Sequence, residues 1–141
     1  MAVWPLEVRH MLRGSCLCGA VGYEVEDAFV AAFFCHCSRC RRATGSAFKP
    51  MASIPFDRIR LVRGEDDLLL YGEAEGSRDF HCGKCGSLLY SYIAVNGNGH
   101  VTMGTLIDPP TIQPSFHIFV GSKASWYEIN DDLPQFSELP T

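Results

Sequence analysis

Cys16-Leu17-Cys18-Gly19 and Cys82-Gly83-Lys84-Cys85-Gly86 are two short cysteine pairs, each running straight into a glycine and set far apart in a chain of 141 residues. Between them lies a third cluster, Cys35-His36-Cys37-Ser38-Arg39-Cys40. Seven cysteines cannot all pair as disulfides within one chain. The start, Met1 to Leu12, contains Trp4-Pro5 and Glu7 and lacks the basic, apolar, small-residue order of a secretory signal. No stretch approaches the ~20 apolar residues that span a bilayer. The expected location is the cytoplasm, where thiols stay reduced and clustered cysteines serve as metal ligands.

Zinc takes up to four thiolates in a tetrahedron, so seven cysteines imply two sites, four plus three. Two divisions compete. Joining Cys37 and Cys40 to Cys82 and Cys85 makes a ribbon-like CxxC…CxxC set but strands Cys35, whose neighbour at i+2 on a strand is Cys37. Joining Cys16 and Cys18 to Cys82 and Cys85 leaves Cys35, Cys37 and Cys40 as a trio. Gly19 and Gly86 favour the second division, because a backbone that must turn tightly around a metal is best served by glycine. Cys40 runs instead into Arg41 and Arg42, which continue a helical turn. The quartet is then a structural clamp tying residue 16 to residue 85.

Outward from the cysteines the chain reads as short strands. In 20–26, Val21, Tyr23 and Val25 alternate with Gly22, Glu24 and Glu26, the pattern of a half-buried strand. Residues 29–37 are nearly all apolar, as in a strand covered on both faces. Strands are also expected at 48–54, 68–73, 88–95, 101–106 and 116–120. Pro50 places the first of these at an edge or a bulge. Turns fall at Gly64-Glu65-Asp66-Asp67, Asn96-Gly97-Asn98-Gly99 and Asp108-Pro109-Pro110. One short helical piece runs from Ser38 to about Thr44, with Ser38 as N-cap and Gly45 as its stop. The expected fold is mainly β: small antiparallel sheets tied by zinc, with one helical turn near 38–44. It forms a single domain over 1–141 with its core at about 10–130. A composition 47% hydrophobic and 20% charged supports a buried core and excludes a disordered tail.

The trio is where chemistry is expected. Three protein ligands leave a fourth position for water or substrate, which separates catalytic from structural zinc. A small thiol suits a sulfur-rich site. Arg39, Arg41, Arg42 and Lys49 lie close in sequence and can bind the carboxylates of such a ligand, or simply compensate the thiolates. A formal charge of −4 argues against a general polyanion binder, and no nucleic-acid or membrane partner is expected.

At these cysteines the chain resembles the glutathione-dependent formaldehyde-activating enzyme family, which shares the Mss4-like fold. The resemblance runs through Gly14-Ser15-Cys16-Leu17-Cys18-Gly19 with Val21 and Tyr23, through Cys35-His36-Cys37-Ser38-Arg39-Cys40-Arg41 with Gly45, and through Phe80-His81-Cys82-Gly83-Lys84-Cys85-Gly86 with Leu88. It ends on His117-Ile118-Phe119-Val120, Ser122-Lys123-Ala124, Trp126 and Asp132-Leu133-Pro134-Gln135-Phe136. It implies two Zn²⁺ ions. Cys16, Cys18, Cys82 and Cys85 match the structural ligands; Cys35, Cys37 and Cys40 match the ligands of the catalytic, and partly occupied, zinc. It also implies a carbon–sulfur lyase that joins formaldehyde to the glutathione thiol as S-hydroxymethylglutathione, or reverses that addition.

A binding module for a glutathione-like thiol or a protein, without catalysis, is the alternative. A zinc-ribbon nucleic-acid binder is a third reading, disfavoured by the acidic total. His36, between two ligands, faces away from them on a strand. His117 is a core residue or a support of the site. Phe29, Phe33, Phe34, Phe48, Phe116 and Phe119 read as core, with Phe48 also able to wall a pocket; Asp66-Asp67 and Asp131-Asp132 read as solvated turns, and Trp126 and Tyr127 as packing on the final strand.

Overall fold

A computed structural model describes residues 10–141; the reading of Trp4, Pro5 and Glu7 lies outside the described residues. In chain order these residues form β1 (Met11–Ser15), β2 (Gly22–Glu26), β3 (Ala31–Cys35), α1 (Ser38–Thr44), β4 (Lys49–Pro55), β5 (Ile59–Arg63), β6 (Leu68–Gly72), β7 (Arg78–Cys82), β8 (Leu88–Ile93), β9 (Asn98–Thr102) and β10 (His117–Ile118). Among the described residues the fold is mainly β with one short α-helix. Among the described residues no helix is long and apolar enough to cross a membrane.

The strands form two sheets, one of three strands in the order β1-β2-β5 and one of seven in the order β10-β3-β4-β9-β8-β7-β6. All neighbours are antiparallel except β10, which runs parallel to β3. The second sheet is thus larger than the small sheets expected, and its β10 edge is parallel.

Alternation along the strands separates two surfaces of the seven-stranded sheet. Ile54, Tyr90 and Val101 face the three-stranded sheet and pack with its Leu12, Tyr23 and Val25. These six side chains are at most 4% exposed, so this layer is the main core. Tyr23 meets Tyr90 edge-to-face at 5.4 Å between ring centroids. The opposite surface carries Lys49, Met51 and Ser53 from β4, and it supports the candidate site.

Pro50 lies inside the large sheet, not at an edge. Its partner Phe34 turns its N–H toward Phe116 O at 3.0 Å, away from β4. The Phe34–Pro50 pair therefore needs no N–H from proline. On the other side the ladder to β9 starts only at Met51↔Thr102, so nothing there requires one either.

The N-cap of α1 is Cys37, not Ser38; Cys37 is extended and its Sγ accepts from the Cys40 N–H. Gly45 ends the helix at φ +65°, with its N–H on Arg41 O. The strand expected at 101–106 lies earlier, at Asn98–Thr102, and Met103–Thr105 is a 3₁₀ turn. That expected at 116–120 shrinks to His117–Ile118, because Phe119 enters the left-handed region at φ +55° and opens another 3₁₀ turn. Trp126 is 71% exposed and packs no strand, whereas Tyr127 meets Phe48 edge-on.

Candidate functional site

The fold brings Cys16, Cys18, Cys82 and Cys85 together, and separately Cys35, Cys37 and Cys40, each group with its sulfurs within 4.8 Å of one another. All seven cysteines are free of disulfides.

The quartet is built from two similar loops. The Cys16 N–H reaches Val21 O at 3.0 Å and the Cys82 N–H reaches Ser87 O at 2.9 Å, closing each loop on its own strand. Gly19 and Gly86 carry the turns at φ +84° and +83°. Backbone N–H groups of Val21 and Cys85 point at the sulfurs of Cys16 and Cys82, at 3.2 and 3.4 Å. Cys16 and Cys82 are buried, which leaves their corner of the site dry. The Sγ atoms of Cys16 and Cys18 are 3.7 Å apart, and those of Cys18 and Cys82 3.8 Å. A tetrahedron with zinc–sulfur bonds of ~2.3 Å has edges of about 3.8 Å, so these two separations match zinc and the four-thiolate donor set suits it in chemistry.

The trio sits where β3 passes into α1. Cys35 ends the strand, Cys37 caps the helix and Cys40 lies in its first turn, its N–H 3.3 Å from Cys37 Sγ. Hydrogen bonds from Cys35 and Cys40 hold the Cys37 thiol well below its ordinary range. The cost falls on its neighbours. Sharing with Cys37 pushes Cys35 up to about 11, and Cys35 and then Cys37 push Cys40 far up. Three sulfurs thus compete for one negative charge, a conflict that a shared dication removes. The trio fits a three-thiolate metal site.

One side of the trio opens into a groove of about 700 Å³ that reaches Cys37 and Cys40. Its floor is the outer surface of the large sheet, and Leu69, Leu88 and Ile93 wall it. Arg39 and Arg42, both exposed on α1, stand at its rim. Arg41 does not line it. Polar groups on the floor come from separate strands. Cys35 faces Lys49 across β3 and β4, and Ser91 faces both Asp79 and His100. The Lys49 Nζ donates to Ser91 Oγ at 3.2 Å, and that hydroxyl donates to Asp79 Oδ1 at 2.6 Å. Burial pushes the Lys49 ammonium down from its ordinary value, while Cys40, Asp79, Cys35 and Cys37 pull it back up. His100 is pushed down to about 4, first by burial and then by Lys49. Asp79, Ser91 and His100 lie on three strands with no shared motif, so sequence reasoning did not single them out.

Behind the trio, His36 points away from the sulfurs. Its Nε2 lies 2.8 Å from His117 Nδ1, and His117 Nε2 lies 3.0 Å from Asp131 Oδ2. Asp131 is therefore a partner of a buried histidine, not merely part of a solvated turn. Phe48 packs at 5.3 Å from the His36 ring on this same side.

Residues 11–122 match the family model described as glutathione-dependent formaldehyde-activating enzyme. A crystal structure of a Rhodobacter sphaeroides protein is similar at 30% sequence identity and a TM-score of 0.59, the match covering 70% of this chain and 91% of that one. No curated protein matches the chain.

Proposed function

The chain belongs to the glutathione-dependent formaldehyde-activating enzyme family, and from that premise we propose that it is a zinc-dependent carbon–sulfur lyase acting on a small thiol adduct such as S-hydroxymethylglutathione. The observation that carries this reading is the asymmetry of the two cysteine clusters. Four sulfurs can fill all four corners of a tetrahedral zinc site and would leave no position for a ligand. Three sulfurs leave one position to fill, and two of their residues, Cys37 and Cys40, line a groove.

A zinc ion held by Cys35, Cys37 and Cys40 would supply a positive charge that favours the thiolate form of an incoming thiol. The chain's own residues do the rest. Arg39 and Arg42 at the rim attract the carboxylates of a glutathione-like ligand. Leu88 and Ile93 add apolar surface to the groove beside its charged floor, which lowers the local dielectric constant. Reduced thiols are required throughout, which fits a cytoplasmic site of action.

Exchange spectroscopy of glutathione with formaldehyde tests the proposal. The zinc-loaded protein is expected to accelerate exchange above the spontaneous rate, and Cys37→Ser to abolish the acceleration along with zinc at the trio. Turnover unchanged in a Cys37→Ser protein lacking that zinc would sink the proposal. Saturable glutathione binding without acceleration would identify a thiol-binding module instead.

A further inference from the structure

Lys49 is 4% exposed, yet it lines the groove beside the trio. Sheet register explains its position. Cys35 and Lys49 are directly opposed on β3 and β4, so their side chains leave the same surface of the sheet as neighbours. The side chain then runs along the groove floor, and Nζ donates to Ser91 Oγ at 3.2 Å. An ammonium has three N–H donors. Among the described residues, Ser91 is the acceptor its hydrogen bonding shows, and no sulfur takes that role. Ser91 gives its own proton to Asp79 Oδ1 at 2.6 Å, which turns an oxygen lone pair toward Lys49. The chain Asp79–Ser91–Lys49 therefore fixes the position of Nζ and leaves donor capacity over the groove. Keeping a charged, incompletely paired group in so dry a place is costly unless something that enters the groove uses it.

We infer that Lys49 is a catalytic residue that donates a hydrogen bond to the aldehyde-derived oxygen as a carbon–sulfur bond forms or breaks on the groove floor. The inference rests on the thiol-adduct chemistry proposed above. In the forward direction the thiolate sulfur bonds to the carbonyl carbon. The C=O π pair moves onto oxygen, and the proton the thiol gave up ends on that oxygen. Breakdown reverses each change. Negative charge thus appears on an atom two bonds from sulfur, inside the groove that Cys37, Cys40 and Lys49 all line. The carboxylates of a glutathione-like thiol are many bonds further away and reach the rim arginines instead. Compensation of the trio alone does not account for the Ser91–Asp79 chain, which directs Nζ to a hydroxyl. A donor fixed before the reaction stabilises the developing oxyanion without reorganising at the moment of bond formation.

The test compares zinc-loaded wild type with Lys49→Met, Lys49→Arg and Ser91→Ala. Glutathione–formaldehyde exchange gives the rate, titration with glutathione alone gives thiol affinity, and metal analysis gives zinc content. Lys49→Met is expected to lose roughly 10²-fold in exchange rate, as when one oxyanion donor is removed. Its glutathione affinity should stay within about threefold of wild type, since an interaction made only in the transition state leaves binding unchanged. Zinc content should also hold. Lys49→Arg restores part of the rate, and Ser91→Ala, which keeps the ammonium but frees it, shows a smaller loss than Lys49→Met. A wild-type rate in Lys49→Met overturns the inference while leaving the proposed activity intact. So does a loss of glutathione affinity equal to the loss of rate, or a loss of zinc at the trio. A wild-type protein with no acceleration at all overturns the proposed activity and this inference together.

Discussion

His36 Nε2 and His117 Nδ1 stand 2.8 Å apart in a region where both residues are at most 1% exposed. The Asp131 carboxylate, which can only accept, faces the other nitrogen of His117. The carboxylate therefore orders one proton: His117 Nε2 donates to Asp131, and a second hydrogen bond joins His36 Nε2 to His117 Nδ1. Burial, followed by the charges of His117 and Lys123, pushes His36 down to about 4, which keeps its ring neutral at neutral pH. Because His36 lies between Cys35 and Cys37, this pair pins the ligand loop to β10 from behind.

Replacing His117 by phenylalanine keeps a ring in place but removes the hydrogen-bond partner of His36 Nε2. A buried donor or acceptor left unsatisfied costs about 1–3 kcal/mol, so His117→Phe is expected to lower stability in urea by that amount. Zinc release from the trio to a chelator should quicken, while release from the quartet stays unchanged. Equal effects at both sites would show that His117 supports the fold generally and not this loop.

The two clusters are expected to differ in what their loss does to the fold. Cys82 is fully buried at the junction of β7 with the quartet loop, and the quartet joins β1 and β2 of one sheet to β7 and β8 of the other. Binding energy at a structural zinc is folding energy, on the order of 10 kcal/mol, as large as the stability of many whole domains. Cys82→Ser should therefore leave the chain unfolded or molten by circular dichroism. Cys40→Ser, at the open trio, should lose one zinc and keep a cooperative unfolding transition.

The cysteine clusters and their flanking glycines were legible because metal ligation works through short, local spacings. Gly19 and Gly86 have the positive φ values that this reading needs. Gly45 marked the end of α1 for the same reason. Strands with weak alternation were not legible. β1, β5 and β7 carry Arg13, Arg60, Arg63 and Arg78 among their apolar residues and gave no clear period of two. Pro50 misled because the rule against proline in central strands concerns a particular N–H, and whether that N–H is needed depends on register. The groove floor has the same character. Lys49, Ser91, Asp79 and His100 become neighbours only through the pairing of β4, β9, β8 and β7. Asp131 carries no local signal of its contact with His117, fourteen residues away.

Gly14 offers a direct test of the packing between β1 and β2. It faces Tyr23 in the register, and a Cβ at this position would lie within the Tyr23 ring. Tyr23 cannot move away cheaply: it is 1% exposed, packs on Tyr90, and its hydroxyl lies 2.7 Å from that of Thr105. Gly14→Ala is expected to destabilise by about 1–3 kcal/mol or more through overpacking, read as a fall in the urea midpoint. Gly104→Ala, where nothing lies within 4 Å, is the control and should show little change.

His100 makes stability depend on pH in a defined window. In the unfolded chain its ring takes up a proton as pH falls through about 6.5. In the folded protein burial, and then the nearby Lys49, push that event down to about 4. Between these values the unfolded state binds more protons, so stability falls as pH falls. Below about 4 both states carry the proton and the loss from this residue ends. The full contribution is about 3 kcal/mol, at ~1.4 kcal/mol per pH unit of separation. Zinc release in acid also destabilises the fold, so the measurement is a difference. Urea unfolding of wild type and His100→Gln is followed from pH 7 to pH 4. The wild type is expected to lose more stability than the variant across this range, with the gap opening below pH 6.5. Parallel profiles would show that His100 is hydrated in the groove and titrates alike in both states.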